Sequence, residues 1–387
     1  MSTHFPLDKF RHIETPFYYY DMELLNRTVE EIRRLTADNP EYHVHYAVKA
    51  NANPAILRAI ARGGLGADCV SGGEILAAIK AGIPSDRIVY AGVGKTDREI
   101  AIGLDNGIFC FNVESEPELE VINSLADQRG VTVRVAIRVN PDVGAHTHAN
   151  ITTGLAENKF GIAMRDLDRV IGMARRLPAT EFVGLHFHIG SQILDMSDFM
   201  ALCNRINDLT GQLARRGIDI PNINVGGGLG IDYSHPDQNP IPDFSAYFDT
   251  FRTHLRLHRG QQLHFELGRS VVGQCGSLIS RVTFVKQGVR KKFVILDAGM
   301  TDLIRPALYQ SYHLIENISS EEMDKEIYDV VGPVCESSDV FGKAIDLNKA
   351  HRGDLFALRS AGAYGEIMAS AYNCRTLPKG YTSEELA

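Results

Sequence analysis

The sequence predicts an α/β protein, a (β/α)8 TIM-like barrel followed by a mostly-β carboxy-terminal domain. Three observations predict it. Short β-rich runs alternate with helical stretches eight times from residue 43. The polar residues that could do chemistry fall at the carboxyl ends of those runs. After Gly268 the texture changes to strands without regular helices.

The barrel strands read as 43–49, 66–70, 87–91, 108–113, 131–139, 181–189, 222–226 and 262–267. Their helices read as 54–62, 72–81, 96–106, 116–129, 166–177, 198–216 and 243–257, with an extra helix at 22–36. Ser71 with Glu74, Thr96 with Glu99 and Ser115 with Glu118 have capping-box spacing and support three of the helix starts. In the first strand, alternation sets Val44, Tyr46 and Val48 on one face and His43, His45, Ala47 and Lys49 on the other. Asn53 as N-cap and Pro54 as first helical residue turn the chain sharply after Lys49. Taken by itself, a lysine snorkelling at a strand end explains that segment equally well.

The second domain reads as strands Ser277–Lys286, Lys292–Leu296, Ile327–Val331 and Gly353–Ala357. The run Phe17–Tyr20 has no barrel position and is placed with it. The expected division is a barrel over 21–267 and a β-rich domain from 1–20 and 268–387, the latter carrying Cys335 and Glu336.

With 387 residues, 44% hydrophobic and 23% charged, the chain has the composition of an ordinary globular protein. Forty basic against 48 acidic side chains give −8, which argues against a nucleic-acid or anionic-membrane partner and for a small molecule. No stretch approaches transmembrane length, the amino-terminal segment lacks a signal peptide's apolar run, and a cytoplasmic location is expected. Six scattered cysteines without CxxC spacing suggest neither a zinc site nor a disulfide framework.

Lys49, Asp68, Arg138 with Asn140, His188, Gly226–Gly230 and Glu266–Arg269 all close barrel strands, where such barrels place their chemistry. Glycines let backbone N–H groups approach an anion, so Gly226–Gly230 is a candidate phosphate cradle, to which Ser191 can add a hydroxyl. A run of this kind is more often a tight turn. A lysine, a phosphate cradle, a flat histidine and a carboxylate on one rim fit pyridoxal phosphate. Lys49 would hold the aldehyde as a Schiff base, His188 would stack on the ring, and Glu266 would pair with the pyridine nitrogen. His186 and His188 as inward core histidines are the commoner state of affairs. Cys335, in Gly332-Pro-Val-Cys-Glu-Ser, can deliver a proton or be a small buried apolar residue. Arg305 and Tyr309 follow a strand, and surface ion pairing is the alternative for Arg305.

The order of Thr15-Pro-Phe-Tyr, Tyr46-Ala-Val-Lys-Ala-Asn, His188-Ile-Gly-Ser-Gln, the Gly226–Gly230 loop, Gly332-Pro-Val-Cys-Glu-Ser and Ala361-Gly-Ala-Tyr364 resembles the fold-type III pyridoxal-phosphate decarboxylases over nearly the whole chain. That resemblance implies an alanine racemase-like barrel with a β domain. It implies Lys49 as the Schiff-base lysine, His188 as the stacking ring and Cys335 as the proton donor. It places Asp68, Arg138, Ser191, Gly227, Gly228, Glu266, Gly268, Arg269 and Tyr364 at the cofactor, and Arg269, Arg305, Tyr309, Glu336 and Tyr364 at the substrate. It also implies a homodimer with shared active sites. The family's Glu-Pro-Gly-Arg appears here as Glu266-Leu267-Gly-Arg269, which loses a rigid φ and keeps both functional side chains.

Charge then bears on the substrate. Meso-2,6-diaminopimelate has a distal ammonium and a distal carboxylate, whereas ornithine has only the ammonium. Arg269 and Arg305 offer a carboxylate clamp and Glu336 an ammonium partner, which favours diaminopimelate, with L-lysine and carbon dioxide as products. An ornithine- or carboxynorspermidine-type decarboxylase is the alternative. A metal-dependent hydrolase, suggested by His43-x-His45 and His186-x-His188, fits poorly because the first pair begins its strand. An alanine racemase-like enzyme would favour a basic partner over Glu266, and a binding protein without cofactor would have no use for Lys49, His188, Glu266 and Cys335 together.

Overall fold

A computed structural model describes residues 5–141 and 159–387. Eight parallel strands close a barrel: Tyr42–Ala47, Gly66–Cys69, Ile88–Tyr90, Cys110–Val113, Val133–Arg138, Thr180–His186, Asn222–Asn224 and Gln262–Leu267. Closure comes from the last strand pairing the first, with His45 opposite Glu266. Two compact units divide the chain, one of residues 29–230 with 243–268 and one of 1–28, 231–242 and 269–387.

The helices after the strands begin where their caps dictate. Asn53 accepts a hydrogen bond from the Ala55 N–H at 3.0 Å, with Pro54 opening Pro54–Arg62. Only one of the three expected capping boxes closes in both directions, Thr96 with Glu99. Glu74 and Glu118 instead accept from the backbone N–H groups of Val70 and Glu114, one residue outside their N-caps, and so tie the preceding βα turn to the helix.

Phe265 on the closing strand carries much of the packing of helix Phe244–His254. Its ring meets Tyr247, Phe248 and Phe251 at 5.8, 5.1 and 5.2 Å in edge-on contacts. Pairs of this geometry each contribute roughly 0.5–1.5 kcal/mol beyond the area they bury.

The second unit is built on an eight-stranded sheet around strand Gly276–Gln287. Phe17–Tyr20 lies antiparallel to that strand and parallel to Lys379–Thr382. Phe10, Phe17, Tyr19, Ile279, Leu355 and Ala357 form one buried cluster on it. Sequence reading missed Ile315–Asn317, Val340–Asn348 and Lys379–Thr382. In Val340–Asn348 the alternation breaks at Gly342 to Ala344, where the pairing register shifts and Ala344 has φ 53°.

Candidate active site

Lys49 does not end the first strand as expected. The strand stops at Ala47, and Val48–Ala50 form one 3-10 turn. The Asn51 side chain accepts from the Asn53 N–H at 2.8 Å and the Tyr46 hydroxyl donates to the Asn51 carbonyl at 2.9 Å, so the chain curls early towards its helix. Gly268 permits this, because a Cβ there would stand 3.1 Å from both the Ala47 and Ala50 Cβ atoms. Lys49 is half-buried, and its charge acts on Asp68, Glu74, His188 and Glu266.

Glu266 is a buried carboxylate met by three side chains. His186 Nε2 meets one oxygen at 3.0 Å, and the side-chain amides of Asn224 and Asn112 donate to the other at 2.7 and 3.2 Å. Burial works to raise its pKa, but His186, His188 and Lys49 outweigh burial and hold the carboxyl well below its ordinary range. An ionised carboxylate has about four acceptor directions, so three donors leave one unspent. Asp68 is the opposite case: burial first, and Glu266 second, push its pKa up, and its Oδ1 has no partner.

His188 stands two residues past the strand that ends at His186. Its Nδ1 accepts from the Gly227 N–H at 3.3 Å, which puts the ring proton on Nε2. Burial, then Lys49 and Arg138, push its pKa well down, so the ring is neutral. The glycine loop wraps this ring. A Cβ on Gly226 would sit 2.7 Å from His188 Nδ1, one on Gly227 1.9 Å from the Glu266 carbonyl oxygen, and one on Gly228 2.9 Å from the Gly190 carbonyl oxygen. Ser191 is held beside the loop, since Ile193 N–H donates to Gly228 O and Gly230 N–H to Ile193 O, each at 2.9 Å. Arg138 reaches Glu114 at 2.8 Å and lies 4.7 Å from the Phe160 ring, while Glu114 also accepts from the N–H groups of Gly92 and Gly161.

In the other unit, Arg269 opens the short helix Arg269–Val272 and Arg305 opens Arg305–Tyr309, both buried. Arg269 Nη1 donates to the Tyr233 hydroxyl at 2.5 Å, and Arg305 Nη2 points to the same oxygen at 3.5 Å. Tyr364 faces both guanidiniums, at 5.0 and 5.9 Å, and Tyr309 faces Arg305 at 5.7 Å. Arg305 also donates to Ser311 at 3.1 Å, yet its Nε is buried without a partner, and burial lowers its pKa. Tyr364 holds φ 58°, a left-handed conformation costly for any residue but glycine.

Cys335 and Glu336 are exposed in a turn that the buried Asp339 anchors by accepting from the N–H groups of Val334 and Met300, at 2.7 and 2.6 Å. Glu336 accepts from the Tyr372 hydroxyl at 2.7 Å. Neither residue bonds to Arg269, Arg305 or Tyr364 among the described contacts. Sequence reasoning missed Asn112, Asn224 and Tyr233. Two asparagines inside short strands were a usable signal, because Asn disfavours strands unless its amide has work there. Tyr233 stands three residues past Gly230 and carried no pattern.

A parallel barrel with this polar rim and a sheet-based second unit defines a class, confirmed by comparison. Residues 25–273 match the family model for the pyridoxal-binding domain of pyridoxal-dependent decarboxylases, and the chain belongs to that family. The diaminopimelate decarboxylase of Bacteroides thetaiotaomicron is 68% identical over 382 residues, 99% of each chain, and that of Aquifex aeolicus 43% identical over 361 residues, 93% of this chain and 84% of that one. The crystal structure of Helicobacter pylori diaminopimelate decarboxylase complexed with L-lysine superposes with TM-score 0.88 at 38% identity, covering 97% of this chain and 93% of that one. Within the family this chain falls among the diaminopimelate decarboxylases. A lysine/ornithine decarboxylase of Vibrio vulnificus, 21% identical with TM-score 0.82 and covering 98% of this chain and 97% of that one, shares the fold.

The barrel rim fits pyridoxal phosphate. The glycine cradle has no room for a Cβ, Asp68 Oδ1 is a buried acceptor without a partner, and Glu266 keeps an acceptor direction open.

Proposed function

We propose that this chain decarboxylates meso-2,6-diaminopimelate to L-lysine and carbon dioxide, with residues 21–267 as its cofactor-binding part and 1–20 with 268–387 as its substrate-binding part. Lys49 supplies the amine that anchors the cofactor aldehyde. His188 presents a neutral flat ring. Ser191, Gly227 and Gly228 present donors to the phosphate, while Gly268, Arg269 and Tyr364 complete the cofactor contacts. Arg138 supports the rim through Glu114, which also holds Gly161. The bound cofactor supplies an electron sink for the pair left by the departing carboxylate. Glu266 sustains that sink by holding a proton on the ring nitrogen, because a carboxylate kept ionised by three donors is a poor proton acceptor and a strong partner for a cation. Asp68 is the neighbouring acid whose burial favours its neutral form.

Substrate choice rests on one observation: Arg269 and Arg305, two buried guanidiniums, converge on the hydroxyl of Tyr233. Like charges brought together out of water call for an anion, and a distal carboxylate supplies it where ornithine or a carboxynorspermidine chain cannot. Tyr309 and Tyr364 flank that carboxylate, Glu336 meets the distal ammonium and Cys335 returns the proton to the product carbon. A homodimer in which Cys335 and Glu336 serve the partner's site fits their exposure in the single chain. Six free cysteines fit a cytoplasmic location, and among the described residues no helix is long and apolar enough to cross a membrane.

Carbon dioxide release from diaminopimelate, ornithine and carboxynorspermidine tests the substrate, and preference for either of the latter overturns it. Sharing is tested by dissociating and mixing Lys49→Ala with Cys335→Ala protein. Random reassociation of a two-fold dimer should restore about a quarter of wild-type activity, and none if each site comes from one chain.

A further inference from the structure

The amino ends of the barrel strands surround a second cavity of about 570 Å³, at the opposite end of the strands from Lys49. Its floor is a stack of histidines. His45 and His264 are buried, 3% and 5% exposed, with ring centroids 5.2 Å apart, and the exposed His43 lies 4.9 Å from His264 on the other flank. Its rim carries Arg33, Arg62 and Arg87 against the single carboxylate of Asp86. None of these three guanidiniums is in an ion pair among the described residues, and Arg87 donates only to the Gly64 carbonyl. All three are exposed, so the mouth of the cavity is cationic on a chain of net charge −8.

The floor supplies a second, independent observation, which comes from counting protons. Asn222 Nδ2 donates to the Val183 carbonyl at 2.9 Å, so its Oδ1 is what faces His264 Nε2 at 3.0 Å, and that nitrogen must carry a proton. His264 Nδ1 in a neutral ring is then an acceptor, and His45 Nε2, 2.9 Å away, donates to it. His45 Nδ1 stands 3.1 Å from the Arg87 carbonyl, which can only accept. With both rings neutral one contact therefore sets lone pair against lone pair, and the network closes only when the pair holds one further proton. Gly66 makes room for this contact, since a Cβ there would lie 2.5 Å from His45 Nδ1 and 2.4 Å from the Arg87 carbonyl oxygen.

We propose that this cavity is a binding site for a polyvalent oxyanion of the phosphate or polycarboxylate type, held by Arg33, Arg62 and Arg87, and that binding places a proton on the His45–His264 pair. Burial first, with His43 beside both rings, pushes the pKa of each down, that of His45 to about 4. Around the pair, His43, Arg87, Arg33 and Arg62 oppose the added proton. Asp86 on the rim and Glu266, opposite His45 on the closing strand, favour it. An anion among the arginines reverses the sign of the rim, offsets Arg87 and adds a negative charge that favours the proton. The site shares no residue with the proposed cofactor cradle.

The test is titration calorimetry on the homodimeric or monomeric holoenzyme as isolated, its cofactor fixed by borohydride reduction so that the cradle cannot take the probe. Inorganic pyrophosphate and citrate are the probes, each run at pH 7 in buffers of different ionisation enthalpy. Binding by either with net uptake approaching one proton is expected, weakened at least tenfold in an Arg33→Gln, Arg62→Gln, Arg87→Gln variant of unchanged melting temperature. His45→Gln should retain binding and lose the proton uptake. Tighter pyrophosphate would mark a phosphate-type ligand and tighter citrate a polycarboxylate. No heat of binding at millimolar probe, binding that survives loss of the three arginines, or binding without proton uptake each overturns the proposal.

Discussion

Glu266 in the barrel and the Arg269–Arg305 pair in the β-rich unit are both buried charge, handled in opposite ways. The barrel balances its carboxylate from within: His186, Asn112 and Asn224, all on barrel strands, meet it. Arg305, beside Arg269, meets the hydroxyls of Tyr233 and Ser311, and its Nε is left without any partner. The carboxylate has three donors before any ligand arrives and keeps one acceptor direction open. Around Arg305 the donors are not all spent, and under the proposed function a substrate carboxylate would take them up.

The largest expected effect removes the cation on the barrel side. Lys49→Ala should lower turnover by three or more powers of ten, on the order of the cost of losing a covalent catalyst, with the far-ultraviolet spectrum unchanged. Near-normal carbon dioxide release would break the assignment.

Next comes the unbalanced side. Arg305→Met should weaken diaminopimelate by roughly 2–5 kcal/mol, read as KM, because a desolvated carboxylate loses a charged partner. It should also leave the protein as stable as before or more so, since it relieves a like-charge contact. A fall in melting temperature with KM unmoved would reverse the comparison.

Glu266→Gln should do the reverse, costing about 1–3 kcal/mol of stability because the charge is lost and one of the two oxygens becomes an amide donor, facing either the Asn112 and Asn224 amides or the His186 ring. The folded-state pKa of Glu266 is depressed, so its stabilisation is complete above the ordinary carboxylate range and is lost as pH falls through the lowered value. The variant should therefore lose stability at neutral pH and approach wild type in strong acid, which acid titration by circular dichroism reads directly.

The smallest effect sharpens the picture. Tyr233→Phe removes only the hydroxyl that both arginines address, and should raise KM several-fold, about 1 kcal/mol, with kcat nearly unchanged. An unchanged KM would show that the arginines hold their places without it.

The barrel was legible because each βα unit writes its own period, and Pro54–Arg62 and Gln262–Leu267 fall where the sequence puts them. Lys49, His188 and Glu266 were visible as polar residues closing apolar runs. The 3-10 turn at Lys49 was not, because an Asx turn at Asn51 overrides strand propensity locally. Tyr233 was invisible for a different reason. Its importance lies in meeting Arg269 and Arg305, 36 and 72 positions away, and no local pattern encodes such a meeting.

The placement of Phe17–Tyr20 between Gly276–Gln287 and Lys379–Thr382 carries a consequence for synthesis on the ribosome. Every barrel strand has been made by Leu267, but this aromatic tetrapeptide finds its first strand partner only when residue 276 emerges. At about 5–20 residues per second that wait lasts roughly 10–50 s. Throughout it, a four-residue run of Phe and Tyr with every side chain destined for burial stands unpaired near the front of the nascent chain. The early part of this protein thus waits unpaired until the late part arrives, and chaperone demand should track the time taken to translate residues 21–276.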